Sequence, residues 1–343
     1  MTLFLFKVEN DGILDPISHL NEDSKKVLYE ALSKINFLEK VIVNLDHVSE
    51  KDLPHIAKIV SNNNLISLVL KGDYVSDYKS ASILKQANPK FLKELVFESE
   101  KAESLSGKVM VNILEASSNI ETLQLTKLNF EEYELFKIVT ILSKSQTLVS
   151  LNLSLSSSQM MMKRIPEVLQ STTLTDLNLS FACINYGIKE LSVALTNNKN
   201  LLKLNLSSNK LVGNKLKLLV DGIIENKTLQ ELNISKNGIG QFMYGHIMHL
   251  VKRGFLRKLI MQYNEFELKG RSLLESSIKE SYTLSFVDLS FNKAVSNLQY
   301  TEKEIEARTN KLVSFSMLLF RKDKTSVLGR IPRRLLIHLL QFL

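Results

Sequence analysis

Two rhythms of apolar residues alternate along most of this chain. In stretches such as Leu201-Leu-Lys-Leu-Asn-Leu206, Leu204 and Leu206 alternate with Lys203, Asn205 and Ser207, as a strand with one buried face requires. Between such stretches the period lengthens. Ile188, Leu191 and Leu195, then Leu216, Leu219 and Ile223, recur at i, i+3 and i+7, which places them on one face of a helix. The predicted unit is strand, turn, helix, turn.

The unit repeats in register. The pattern Leu-x-x-Leu-x-Leu-x-x-Asn matches ten times, beginning at Leu38, Leu65, Leu92, Ile120, Leu148, Leu174, Leu201, Leu229, Leu256 and Leu284, with spacings of 26 to 28 residues. The clearest copies are Leu201-Leu-Lys-Leu-Asn-Leu-Ser-Ser-Asn209, Leu229-Gln-Glu-Leu-Asn-Ile-Ser-Lys-Asn237 and Leu284-Ser-Phe-Val-Asp-Leu-Ser-Phe-Asn292. A shorter match, Leu3-Phe-Leu-Phe-Lys-Val8, predicts a capping strand ahead of them. Parallel strands sit roughly 4.8 Å apart while packed helices need about 8–10 Å, so stacked coils bend with the strands inside. A lone coil cannot bury its own leucines, which makes the array cooperative and calls for polar caps.

Residues 38–292 resemble the leucine-rich-repeat family, and the period is similar to that of its ribonuclease-inhibitor-like class. The resemblance implies an α/β solenoid, a horseshoe with a concave parallel sheet and convex helices, closed by a helical C-terminal cap. The expected organisation is an N-terminal cap over 1–37, a solenoid over 38–299 and a cap over 300–343. The last repeat position favours Asn, whose amide can both donate to and accept from backbone groups in the buried turn. Asn209, Asn237, Asn264 and Asn292 fill it, whereas earlier repeats carry Asp46, Asp73, Glu100, Leu128, Ser156 and Ala182. The N-terminal half is therefore expected to be less regular.

Composition narrows the function. With 44% apolar and 23% charged residues in 343, the chain can bury a large core and stay in solution. Cys183 is the single cysteine, which excludes an internal disulfide framework and suits a reducing compartment; a buried structural thiol is expected there. The N-terminus lacks a basic n-region and no apolar run is long enough to span a bilayer, so a cytoplasmic protein, or one leaving its cell by a non-Sec route, is expected. Residues 1–110 hold 14 Lys/Arg against 16 Asp/Glu, so the net charge of +8 is carried by the remainder.

Outward strand positions supply the candidate site. In the middle coils they read Asn152, Asn178, Asn205 and Asn233, each followed two residues later by Ser154, Ser180, Ser207 or Ser235. That strip is either consensus filling or a hydrogen-bonding floor for a partner. Phe181, Tyr263, Phe286 and Phe291 lie at or just beyond exposed positions, with Lys203, Lys236, Arg257 and Lys258 nearby. Aromatic anchors of this kind suit a protein interface, and the lysines favour an acidic partner; the alternative is that the rings pack on neighbouring loops. Nucleic acid is not the expected partner.

No catalytic constellation emerges. His246 and His249 lie one helical turn apart without an HExxH frame or a third ligand, and the chain has no phosphate-binding glycine loop and no Ser-centred elbow. The chain is read as a monomeric, non-enzymatic protein with no cofactor and no metal. GTPase-activating repeat proteins offer an alternative, although no residue here matches their catalytic features.

After Asn292 the texture changes. Thr301-Glu-Lys-Glu304 is a capping box, and Ile305, Leu312, Phe315 and Leu319 continue an apolar face, so a helix is predicted over 301–320. Arg321, Lys322, Lys324, Arg330, Arg333 and Arg334 then form a basic linker, either a solvated cap edge or a weak contact for anionic membrane. Ile331-Pro-Arg-Arg-Leu335-Leu-Ile-His-Leu-Leu340 resembles the first helix of an F-box, which implies docking to a ubiquitin-ligase adaptor, though Arg333 and Arg334 stand where an acid is usual. The same leucines could instead cap the solenoid. A Lys-, Asn-, Ile- and Ser-rich repeat chain without an export signal is also similar to the leucine-rich-repeat effectors that Legionella and related bacteria inject into host cells. The function expected is a scaffold that binds a host protein.

Overall fold

In the computed structural model, the residues described are 2–5, 20–35, 38–62, 64–72, 77–85, 91–103, 107–128, 130–155, 159–171, 173–253, 255–267, 270, 273–274, 276–278, 281, 283–292 and 299–300. The chain divides into two compact units, Met1–Asn209 and Lys210–Leu343. The first contains strands β1 (Thr2–Leu5), β2 (Lys40–Asn44), β3 (Ser67–Gly72), β4 (Glu94–Glu103), β5 (Thr122–Leu128), β6 (Ser150–Asn152), β7 (Asp176–Asn178) and β8 (Lys203–Asn205). Helices α1 (Glu22–Ser33), α2 (Leu53–Asn62), α3 (Asp77–Leu84), α4 (Gly107–Ala116), α5 (Glu132–Lys144), α6 (Gln159–Val168) and α7 (Ile188–Asn197) alternate with them. The second contains α8 (Asn214–Glu225), α9 (Tyr244–Arg253), β9 (Glu231–Asn233), β10 (Lys258–Ile260), β11 (Phe286–Asp288) and β12 (Gln299–Tyr300).

Every strand of the first unit pairs in parallel with its successor, and β1 adds to β2 with Leu3 opposite Val41. Leu68, Leu95, Leu123, Leu151, Leu177 and Leu204 fall on one line of register, one leucine from each coil. All are buried. In the second unit β9, β10 and β11 are parallel, and β12 returns antiparallel along β11. The helix positions read from the longer rhythm, Ile188, Leu191 and Leu195 in α7 and Leu216, Leu219 and Ile223 in α8, are buried as well. Both units are thus built of leucine-rich-repeat coils, and the architecture is an α/β leucine-rich-repeat solenoid. Among the described residues no helix is long and apolar enough to cross a membrane.

Turn chemistry sets how each coil ends. Asn209 accepts from the N–H of Ala182 at 3.0 Å and donates to the carbonyls of Leu179 at 2.8 Å and Leu206 at 3.1 Å. Asn264 accepts from Asn237 N at 2.9 Å and Ile239 N at 3.2 Å, and donates to Ile234 O and Met261 O. Asn292 repeats the arrangement on Phe266, Met261 and Leu289. One amide therefore satisfies backbone groups of two successive coils, which a buried turn demands.

The early coils end differently. β2 to β5 run for 5, 6, 10 and 7 residues, whereas β6 to β11 hold 3 each. The long strands belong to the first four repeats, which carry Asp46, Asp73, Glu100 and Leu128 in place of the Asn, but β6 and β7 stay short although their coils lack it too. A register break falls between Glu98 and Glu103 where β4 meets β5, the irregularity expected of the N-terminal half. Asp73 and Ser156, like the predicted 301–320 helix and everything after it, lie outside the described residues.

A second polar position, three residues before four of the repeats, was not read from the sequence. Asn198 accepts from Leu201 N at 2.7 Å and Asn226 from Leu229 N at 2.7 Å, while Ser145 and Ser281 accept from Leu148 N and Leu284 N. These side chains close the turn from helix back to strand. Their i to i+3 spacing is visible in the sequence, but Ser and Asn share the position and the pattern hides in that variation.

Candidate interaction surface

The outward rows of the sheet change character along the first unit. Ile42, Val69, Val96, Gln124, Asn152, Asn178 and Asn205 stand in register on successive strands, so the row passes from aliphatic to amide. Each Asn of the strip holds its own turn: Ser154 N donates to Asn152 Oδ1, Ser180 N to Asn178, Ser207 N to Asn205 and Ser235 N to Asn233, all at 3.0 Å. Asp288 does the same for Ser290 at 2.9 Å. The side-chain oxygens thus serve the strand-to-turn transition. The half-exposed amide NH2 ends of Asn152, Asn178, Asn205 and Asn233 have no partner among the described residues and are what the strip presents to the surface.

The eighth repeat position carries a feature with no warning in the sequence. Lys127, Leu155, Phe181, Ser208, Lys236, Tyr263 and Phe291 all have positive φ, between 53° and 62°. Left-handed backbone costs a non-glycine residue roughly 1–2 kcal/mol, and the hydrogen bonds explain why it is kept. With φ positive, the N–H at this position reaches the next coil: Leu155 N donates to Ser180 O, Phe181 N to Ser207 O, Lys236 N to Gln262 O and Tyr263 N to Ser290 O, at 2.9 to 3.2 Å. The same geometry throws the side chain outward from the strand ends, so Phe181, Tyr263 and Phe291 are 51, 48 and 53% exposed.

In the second unit these side chains meet. The rings of Tyr263 and Phe291 stack at 4.5 Å with planes 6° apart. Lys236 Nζ stands 5.0 Å from the Tyr263 centroid, and Lys258 Nζ stands 5.6 Å from that of Phe286. Lys258 is also 3.8 Å from Glu231 Oε2, both half-exposed. Arg257 is exposed one residue away. The result is an exposed aromatic pair with the Lys236 cation at its flank, a surface that can accept apolar and acidic groups together. Phe181 and Lys203 belong to the first unit, where Lys203 pairs in register with Asp176.

One expectation is corrected. Cys183, expected to be a buried thiol, is exposed. It sits at φ 51° as the cap of the 3₁₀ turn Ile184–Tyr186, and that left-handed cap points its side chain away from the core while Ala182 and Ile184 on either side are buried.

The opposite end of the first unit carries a polar cluster that the sequence did not single out. Glu94 accepts from Ser67 Oγ and, at 3.0 Å, from Lys40 Nζ. Burial works to raise the Glu94 pKa, but the Ser67 hydrogen bond and the Lys40 charge outweigh it and hold the carboxyl below its ordinary value. On the helix side Arg164 clamps Glu167 through two bonds of 2.9 and 2.6 Å and lies 4.1 Å from the centroid of the exposed Phe136 ring. Beside them a groove of about 620 Å³ is floored by Pro166, Leu169, Val193 and Ala194. Lys189 and Glu190 also line it.

His246 and His249 lie on α9, and among the described residues no group of three or more His, Cys, Asp or Glu side chains is placed to hold a metal. The F-box-like segment 331–343 and the basic linker lie outside the described residues.

A leucine-rich-repeat family model matches residues 170–187 and 225–241. No curated protein sequence matches the chain. Among solved structures, the leucine-rich repeat-containing protein LegL7 from Legionella pneumophila is similar at 16% identity, with 82% of this chain and 98% of that one covered and a TM-score of 0.49. Leiomodin-1 actin-binding site 2 is similar at 16% identity over 50% of this chain and 86% of that one, with a TM-score of 0.32.

Proposed function

We propose that this chain is a non-catalytic protein-interaction scaffold, and that it docks an acidic protein partner on the strand-end cluster of its second unit. The observation that carries this reading is the Tyr263–Phe291 stack, half-exposed at two positions of positive φ and flanked by Lys236. Bulky rings are a costly choice for left-handed backbone where Gly or Asn would be easier. Holding two of them side by side in solvent makes sense if a partner covers them. Rigid aromatic anchors lose little side-chain entropy on binding, and the neighbouring Lys236 cation favours an acidic surface against them.

In this reading the asparagine strip with Lys203 and Phe181 in the first unit offers secondary polar contacts, and residues 1–37 and 300–343 act as end caps. The reading takes the chain as a monomer in a cytosol, and the likeness in composition to injected bacterial effectors supports a host cell as its place of action. The test is affinity capture from a eukaryotic lysate with the intact protein and with Tyr263→Ala/Phe291→Ala. A partner retained by the first and lost by the second supports the reading, as does capture that weakens with salt; a partner held equally by both moves the site elsewhere.

A further inference from the structure

We propose that Asn237 is a deamidation site kept silent by the folding of its own coil, so that conversion records, and then fixes, the opening of that coil. Asn237-Gly238 is the only Asn-Gly pair in the chain, and glycine leaves the following backbone nitrogen without the steric shield a side chain provides. In the unfolded segment that nitrogen can attack the Asn237 side-chain carbonyl carbon. A C–N bond forms, the side-chain amide departs as ammonia carrying the proton from the Gly238 nitrogen, and a five-membered imide remains. Water then adds to one of the two imide carbonyls and breaks its C–N bond, leaving aspartate or its β-linked isomer. The sum is amide plus water to acid plus ammonia, with no oxidant or reductant.

The folded turn opposes each part of this. The Asn237 side chain is 2% exposed. Its Oδ1 accepts from Leu211 N at 3.1 Å and its Nδ2 donates to Ser235 O at 3.1 Å. Its own backbone N–H is held by Asn264 Oδ1 at 2.9 Å, and Gly238 is fixed at φ 70°. The carbonyl carbon is thereby pinned at both substituents, and the flanking backbone cannot rotate to bring the nitrogen onto it.

The product does not fit the closed turn. An aspartate still accepts from Leu211, but its second oxygen faces the Ser235 carbonyl where an N–H stood, and it brings a charge into a buried site. The β-linked isomer lengthens the main chain by one carbon and displaces the Asn237–Asn264 bond. Either product disfavours reclosure, so the change is one-way.

The experiment uses the full chain at mildly alkaline pH, with and without denaturing urea, and follows Asn237 by peptide mapping in a mass spectrometer. Conversion in native protein is expected to be roughly tenfold or more slower than in urea, because it requires local opening. Equal rates would overturn the gating. Asn237→Asp supplies the second arm: a lowered melting temperature, or failure to fold, is the expected result, and melting with the parent chain would overturn the claim that the product cannot be reseated.

Discussion

Tyr263 and Phe291 lie one coil apart with their rings stacked at 4.5 Å, and each reaches the other only because its backbone is left-handed. Stack and backbone are thus coupled. Aromatic pairs are worth about 0.5–1.5 kcal/mol beyond their buried area, so a double-mutant cycle with Tyr263→Ala and Phe291→Ala is expected to show coupling of that size in urea unfolding. Additive losses would mean that the rings do not hold one another in solution.

Phe181 shares the strained backbone without the compensation. It is half-exposed at φ 53° and has no ring partner among the described residues. Phe181→Gly is therefore expected to raise stability by about 0.5–1 kcal/mol, the relief of left-handed strain less the flexibility glycine adds to the unfolded chain. Tyr263→Gly relieves the same strain but loses the stack, so its gain is expected to be smaller or absent. Calorimetry on both variants checks the ordering.

The asparagine column carries the largest expected penalty. Asn209→Ala strips Ala182 N–H and Leu179 C=O of their partner inside a buried turn. Leaving two backbone groups unsatisfied costs about 2–4 kcal/mol. Asn205→Ala, four residues earlier in the same coil on the strand face, frees only Ser207 N–H and is expected to cost under about 1 kcal/mol. Similar losses for the two variants would contradict the division between buried column and exposed strip.

What the sequence made legible follows from how each property is encoded. Leu204 and its equivalents were readable because burial demands an apolar residue at one spacing, repeated coil after coil, and Asn209 because a single side chain meets that hydrogen-bonding demand best. Positive φ at Tyr263 was not readable, since the residues sharing it include Lys127, Leu155 and Ser208, which have no property in common but their place before the turn. Cys183 was misread because a small thiol between Ala182 and Ile184 looks buried in one dimension, while the left-handed cap turns it out. The pairing of Lys236 with Tyr263 depends on neighbouring coils and needed the register.

Acid should reveal the Glu94 cluster. Its folded-state pKa is lowered from the ordinary 4.5, so the group contributes stability that is complete above the unfolded pKa and is lost as pH falls through the folded one. Glu94→Gln is expected to melt lower than the parent near neutrality and to converge with it in acid, the gap closing below pH 4.5. The pair with Lys40 is a third exposed, so salt will narrow the gap at neutral pH. A difference that persisted unchanged into strong acid would point to lost packing.

Two glycines should fail for opposite reasons. Gly187 has φ −131°, which any residue can adopt, yet a Cβ there would overlap the backbone carbonyl of Met162 where the start of α7 passes α6. Gly213 has φ 58°, a conformation L side chains avoid, with nothing within 4 Å of the place its Cβ would occupy. Gly213→Ala should therefore lose about 1–3 kcal/mol through backbone strain alone, without disturbing its neighbours. Gly187→Ala should lose about 1–3 kcal/mol by forcing two packed helices apart. Since the clash is with main chain, trimming Met162 to Ala cannot rescue it, whereas a clash with the methionine side chain would be relieved. Melting temperatures of Gly187→Ala with and without Met162→Ala separate these cases, and recovery in the double variant would show that side-chain crowding, not close backbone approach, keeps position 187 a glycine.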